Sequence, residues 1–165
     1  MHLEALSARD GLPQYTLLQQ IGQNENGFHN DVKDMPYDAF PAWLAQKAGY
    51  AKGLDMPDWM VPETTYWLYA DDAVPVACGR VRHYLNEALQ KDGGHIGYAV
   101  GAPFRGRGYG NALLHLLLAE CEKLDIREAH IGANKDNVPS NRVILRNGGV
   151  LLRESDEKNY YIVRL

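Results

Sequence analysis

Two cysteines in 165 residues, Cys78 and Cys121, are too few for a disulfide framework or a cysteine-based zinc site, and both are expected as buried, reduced thiols. Long apolar runs are also missing. The longest stretch, Ala112 to Ala119, is interrupted by His115 and falls short of the roughly 20 residues that span a bilayer, so no membrane partner is expected. The opening MHLEALSARD lacks the basic start and apolar core of an export signal, which makes a cytoplasmic location the expectation. Positive charge is not in excess either. A net charge of −4 and a pI near 5.8 argue against binding a nucleic acid by phosphate neutralisation. There are no internal repeats, low-complexity tracts or linker-like stretches. With 45% hydrophobic and 23% charged residues, the chain reads as one compact domain, 1–165.

What is present alternates between the two structural periods. Residues 2–7 fit a short strand, while 13–23 and 37–48 carry helical spacing, with the polar turn Gln23 to Asp34 between them. Thr64 to Ala70 and Val74 to Leu85 are rich in β-branched and aromatic residues and flank Asp71-Asp72, which predicts a hairpin. His95 to Val100 is the next strand, set off by Gly93-Gly94. Gly108 to Lys123 is apolar around most of a helix, leaving Asn111, His115 and Glu122 as a narrow polar stripe, so this helix is expected to be largely buried. Glu128 to Ala133 reads as a strand and Pro139 to Arg146 as a short helix that starts near Asn137 and is closed by Gly148-Gly149. Val150 to Arg153 and Tyr160 to Leu165 form a last strand pair.

The segment that carries chemistry runs strand, glycine turn, long helix: HIGYAV, GAPFRGRGYG, NALLHLLLAECEKL. Gly106, Gly108 and Gly110 remove side chains that would keep a ligand from the backbone, and the helix start beyond them offers unpaired N–H groups and the positive end of a dipole. Arg105 and Arg107 would add charge and directed donors. With Lys135, Arg142 and Arg146 they form a local basic cluster in an acidic chain, which points to a small anionic ligand. A plain tight turn with solvated arginines is the other reading of the same glycines. A dinucleotide fold is disfavoured because Asn111 stands where the third glycine is needed and Asn134 where an acid is needed. A P-loop is excluded because no Gly-Lys-Ser/Thr follows.

Arg105-Gly106-Arg107-Gly108-Tyr109-Gly110 and, at a fitting separation, Asn137-Val138-Pro139-Ser140 through Gly148 resemble two blocks of the GNAT superfamily of N-acetyltransferases. The likeness covers residues 60–165. It implies an α/β (α+β) fold, a single GNAT-like domain whose mixed, mostly antiparallel twisted sheet is flanked by helices and splayed between the strands at 95–100 and 128–133. It also implies an acceptor-side half over residues 1–92 and an acetyl-CoA-binding half over 93–165. The pantetheine arm would pair with Tyr98, Ala99 and Val100, residues 105–110 would hold the pyrophosphate, and Asn137 and Ser140 would lie along the pantetheine. The implied activity is transfer of the acetyl group of acetyl-CoA, as co-substrate and without a metal, to a primary amine of a small molecule or peptide. The alternative is a non-catalytic acyl-CoA-binding or regulatory module of the same fold, and a homodimer is left open.

Two departures from the family pattern stand out. Its usual proline, two residues after Val100, is Ala102 here, with Pro103 following, and its usual acid, a tyrosine in the short helix, is Ile144. For the base that frees the amine of its proton, His95 and His83 are the catalytic candidates, with Glu63 and Glu87 weighed beside them. A structural role is the competing reading of each. Tyr98, Tyr160 and Tyr161 are candidate replacement acids. Phe28, Trp59 and Glu63 are the candidate acceptor-binding residues, whereas Trp43, Tyr66, Trp67 and Tyr69 are expected to pack the core.

Overall fold

The computed structural model describes residues 1–71 and 73–165. In chain order the elements are β1 (His2–Ala5), α1 (Leu12–Gln19), β2 (Asn24–Glu25), β3 (Phe28–His29), α2 (Phe40–Tyr50), β4 (Glu63–Tyr69), β5 (Pro75–Arg82), α3 (Glu87–Lys91), β6 (Ile96–Val100), α4 (Tyr109–Lys123), β7 (Glu128–Asn134), α5 (Val138–Arg146), β8 (Val150–Glu154) and β9 (Lys158–Arg164). Single 3-10 turns cover Tyr37–Ala39 and Ala102–Phe104. The expected β4–β5 hairpin forms, with Trp67 opposite Cys78. Of the Asp71-Asp72 pair assigned to its turn, Asp72 lies outside the described residues.

Four strands pair antiparallel in the order β1-β4-β5-β6, and three in the order β7-β9-β8. Alternation along the strands gives the first sheet two apolar faces. One carries Leu68, Val76, Val81 and Ile96 against Leu113, Leu114, Leu117 and Cys121 of α4, and continues into Ile131, Tyr161 and Val163 of the second sheet. The other carries Trp67, Tyr69 and Cys78 against Leu17, Leu18 and Ile21 of α1 and Phe40 and Leu44 of α2. Both cysteines are free and buried, and burial pushes each thiol up to about 12.

Among the described residues, one backbone bridge joins the two sheets. Gly94 bridges Ile131, the His95 N–H donates to the His130 carbonyl at 2.7 Å, and the His130 N–H donates to His95 Nδ1 at 3.0 Å. Gly94 has φ +64°, and a β-carbon there would lie 2.3 Å from the His130 carbonyl oxygen, so only glycine allows so close an approach. Past this junction β6 and β7 separate, as the resemblance implied for 95–100 and 128–133. Among the described residues, no helix is long and apolar enough to cross a membrane.

The segment expected to be a polar turn, Gln23 to Asp34, contains a two-strand hairpin, β2–β3. Asn26 and Gly27 take φ of 53° and 81°, the pair of left-handed values that a type I′ turn requires. Asn-Gly is the strongest short hairpin signal in a sequence, but only two residues flank it on each side, too few to show an alternating pattern.

Candidate active site

The gap between β6 and β7 opens into a cleft of about 860 Å³. Ile96 to Val100 form one wall and Gly132 to Asn134 the other. At one end the cleft reaches the glycine loop and the first turn of α4, and at the other it reaches Arg80, Arg82, Asp92 and Lys158. The β2–β3 hairpin lines its rim from Glu25 to His29.

At the loop end, Gly106 (φ +75°) and Gly108 (φ +83°) take backbone values that side-chain-bearing residues resist, and a β-carbon at either would meet nothing within 4 Å. Gly108 directly precedes α4, and Gly108, Tyr109 and Gly110, at the helix start where N–H groups lack intrahelical partners, all line the cleft. Arg105 Nε donates to the Val100 carbonyl at 3.1 Å, and Nη1 pairs with Glu25 Oε1 at 2.6 Å. The Arg105 hydrogen bond, and after it the Gly22 N–H, hold the Glu25 carboxyl below its usual range. Arg107 is exposed and does not line the cleft.

Asn137 and Ser140 both line the cleft, and each also has structural work. The Asn137 side chain caps α5 by accepting from the Ser140 N–H at 3.3 Å. The Tyr98 hydroxyl reaches Ser140 Oγ at 2.8 Å, tying β6 to α5. Burial is the larger influence on Tyr98 and pushes its phenol up to about 12. Ile144, at the position of the family's usual acid, is 0% exposed and packs in the core. Tyr161 is likewise buried, with its hydroxyl on Asn141 Oδ1 at 2.6 Å.

The two histidines expected as bases are not brought to the cleft. His95 sits at the sheet junction, 7% exposed, with Nδ1 occupied by the His130 N–H. Burial, then His130 and Arg82, push it down to about 4. His83 Nε2 is paired with Thr64 Oγ1 at 2.8 Å, and burial lowers it too, against the opposing pull of Glu63. The histidine that does line the cleft is His29 in the hairpin, with Nε2 paired to Asp31 and Nδ1 at 2.8 Å from Asn24 Oδ1.

Of the acceptor candidates, Phe28 lines the cleft with its ring over the Arg80 guanidinium at 4.5 Å. Trp59 is 74% exposed and outside the cleft. Glu63 is buried behind the cleft, where it pairs with Arg80 and Arg82.

The model of the acetyltransferase (GNAT) family matches residues 29–148. The chain belongs to the GNAT acetyltransferase family. The match takes in the glycine loop, the whole of α4 and β7, and the Asn137 cap. No curated protein matches the sequence. Solved structures of family members superpose over nearly all of it. The GNAT domain of S. lividans PAT is 15% identical, covers 99% of this chain and 89% of its own, and has a TM-score of 0.68. MccE, a microcin self immunity acetyltransferase in complex with acetyl-CoA and AMP, is 17% identical over 99% of this chain and 92% of its own, also at 0.68. RimL, a ribosomal alpha-N-protein acetyltransferase in complex with coenzyme A, is 16% identical over 99% and 93%, at 0.71. At such identities the likeness speaks to the fold.

Proposed function

We propose that this chain transfers the acetyl group of acetyl-CoA to a primary amine of a small molecule or peptide by direct attack on the thioester. The observation that carries the reading is the cleft itself, open between β6 and β7 and ending on a glycine loop whose missing side chains leave the first N–H groups of α4 free for a pyrophosphate. Its volume lies within the usual range for small-molecule sites.

In this reading Arg105, Gly106, Gly108 and Gly110 hold the pyrophosphate, and Tyr98, Ala99 and Val100 offer backbone groups to the pantetheine. The acceptor then enters from the opposite end, between the hairpin and β5. Residues 93–165 thus form the cofactor side and 1–92 most of the acceptor side. The amine nitrogen attacks the thioester carbonyl carbon, a C–N bond forms, and the C–S bond breaks. His29, whose Nε2 is held by Asp31, receives the amine's proton on Nδ1 once the acceptor takes the place of Asn24 Oδ1 there, because it is the histidine that lines the cleft. The Tyr98 phenol, held protonated by burial, offers the leaving thiolate a hydrogen bond where the tyrosine that Ile144 replaces would act, and the thiolate, with an ordinary pKa of about 8.5, takes its proton from solvent.

The buried Ile144 favours one other reading, an acyl-CoA-binding module without turnover. A panel of polyamines, aminoglycosides, amino acids and peptide N-termini, assayed with acetyl-CoA by thiol release, separates the two. Stoichiometric thiol and acetylated amine from one class supports transfer. Tight coenzyme A binding with no thiol release from any amine supports the module. Arg105→Ala combined with Gly108→Asp abolishes coenzyme A binding under either reading.

A further inference from the structure

Arg80 and Arg82 stand two apart on β5, so their side chains share one face of the sheet, the face that carries α1, α2 and the hairpin. Both line the end of the cleft away from the glycine loop. Gly97 is opposite Arg80 in the β5–β6 register, and both line the cleft.

The charges at this end do not balance. The two guanidiniums share a single carboxylate, Glu63, at 3.9 Å from Arg80 Nη1 and 3.6 Å from Arg82 Nε. Their remaining partners are uncharged: the His29 carbonyl and the face of the Phe28 ring for Arg80, and the Gly93 and Gly94 carbonyls for Arg82 at 3.3 and 2.9 Å. Arg82 Nη2 has no hydrogen-bond partner among the described residues. The other acid here, Asp92, also holds Lys158 Nζ at 2.7 and 2.8 Å, so Glu63 and Asp92 stand against Arg80, Arg82 and Lys158 and one positive charge is left over. The arginine side chains are only 17% and 21% exposed, so water screens this surplus poorly. A largely desolvated cation lacking a full counter-charge is an unfavourable arrangement that an anionic ligand relieves, and the planar guanidinium fork matches carboxylate and phosphate oxygens.

We propose that the acceptor is an amine that also carries an anionic oxygen group, carboxylate or phosphate, and that Arg80 and Arg82 hold that group while the amine faces the thioester. This rests on the acetyl-transfer reading for which end of the cleft the acceptor occupies. The same surplus charge disfavours polyamines and aminoglycosides, which would bring further ammonium groups beside the two arginines.

The test compares acceptors matched except for the anion: O-phosphoethanolamine against ethanolamine, and alanine against ethylamine. The two pairs separate phosphate from carboxylate. The charged member of at least one pair is expected to have roughly tenfold or greater kcat/KM, expressed in KM, as one charge-assisted hydrogen bond provides. R80Q and R82Q narrow that preference and R80K retains part of it, with coenzyme A affinity by calorimetry unchanged as the check on folding. Equal or better use of the neutral members, or a preference untouched in both variants, overturns the proposal and leaves acetyl transfer standing. A second arm needs no turnover. Inorganic phosphate and acetate are titrated separately into coenzyme A-saturated protein; at least one is expected to bind, and that binding is lost in R80Q. Absence of binding of both anions to the unaltered chain overturns the proposal, whereas absence of thiol release from every amine overturns the transfer reading.

Discussion

Replacing His95 by glutamine separates a structural histidine from a catalytic one. His95 is 7% exposed at the single junction of the two sheets, and its Nδ1 must stay unprotonated to accept the His130 N–H at 3.0 Å. Burial, with His130 and Arg82 nearby, depresses the imidazole from 6.5 to about 4. The sign follows from linkage: between those values the unfolded chain binds a proton that the folded chain refuses. Stability from this group is therefore full above about pH 6.5, falls as pH drops towards 4, and changes no further below that. At 1.36 kcal/mol per pH unit the loss across the window is about 3 kcal/mol. Glutamine at 95 keeps an acceptor oxygen for His130 and does not titrate. Urea unfolding should therefore place the variant within about 1 kcal/mol of the parent at pH 7.5 and show most of the acid-linked loss gone at pH 4.5. Its kcat/KM with the best acceptor should change by no more than a few-fold. An unchanged pH dependence of stability would refute the linkage, and a fall of about a hundredfold in kcat/KM at neutral pH would restore His95 as the base.

His29→Gln should lower kcat/KM about a hundredfold at neutral pH, and a variant with the parent kcat/KM would remove His29 from the chemistry. Glu25→Gln releases Arg105 from its 2.6 Å partner at the loop. Because that pair is partly exposed, calorimetry should show only about a threefold gain in coenzyme A affinity, and a weaker complex would mean that Glu25 positions Arg105 productively. Gly94→Ala places a methyl 2.3 Å from the His130 carbonyl oxygen at φ +64°, and urea unfolding should show a loss of about 3 kcal/mol, with a loss under about 1 arguing against the tight junction. Ile144→Tyr forces a phenol into a fully buried site, so it should cost about 1 to 3 kcal/mol of stability without raising kcat, while a rise in kcat would show that the position reaches the cleft.

The elements legible in the sequence are those whose own residues carry a long period. Helix α4 was expected from Gly108 and begins at Tyr109, because fifteen residues with apolar side chains around most of the helix leave no other reading. Asn137 and Gly148 bound α5 for local reasons, a side-chain cap and a left-handed exit at φ +85°. Where neighbours decide, the sequence was silent. The helix expected over 13–23 stops at Gln19 because the Asn30 side chain reaches back to the carbonyls of Leu18 and Ile21, a contact set by the hairpin that follows. The proline shifted to Pro103 falls inside the 3-10 turn at Ala102–Phe104, so the chain still turns from β6 towards the glycine loop. In the site, the glycine loop was readable because backbone chemistry is local. His95 and His83 looked available because sequence cannot show that a strand end is also a junction. His29 and the shared carboxylate of Arg80 and Arg82 depend on chain separations of 51 and about 20 residues, beyond any motif.

A sheet that parts after a single bridge leaves two strand edges facing each other across water. Among the described residues, the amide hydrogens on those edges pair with no facing strand beyond the Gly94–Ile131 junction, so they should exchange with deuterated solvent far faster than their neighbours bonded to β5 and β9. A ligand that lies along β6 as a strand would cover the Ile96–Val100 edge first and leave the β7 edge labile. The order in which deuterium uptake slows along the two walls would then record which strand a bound molecule follows, residue by residue, in the unaltered protein.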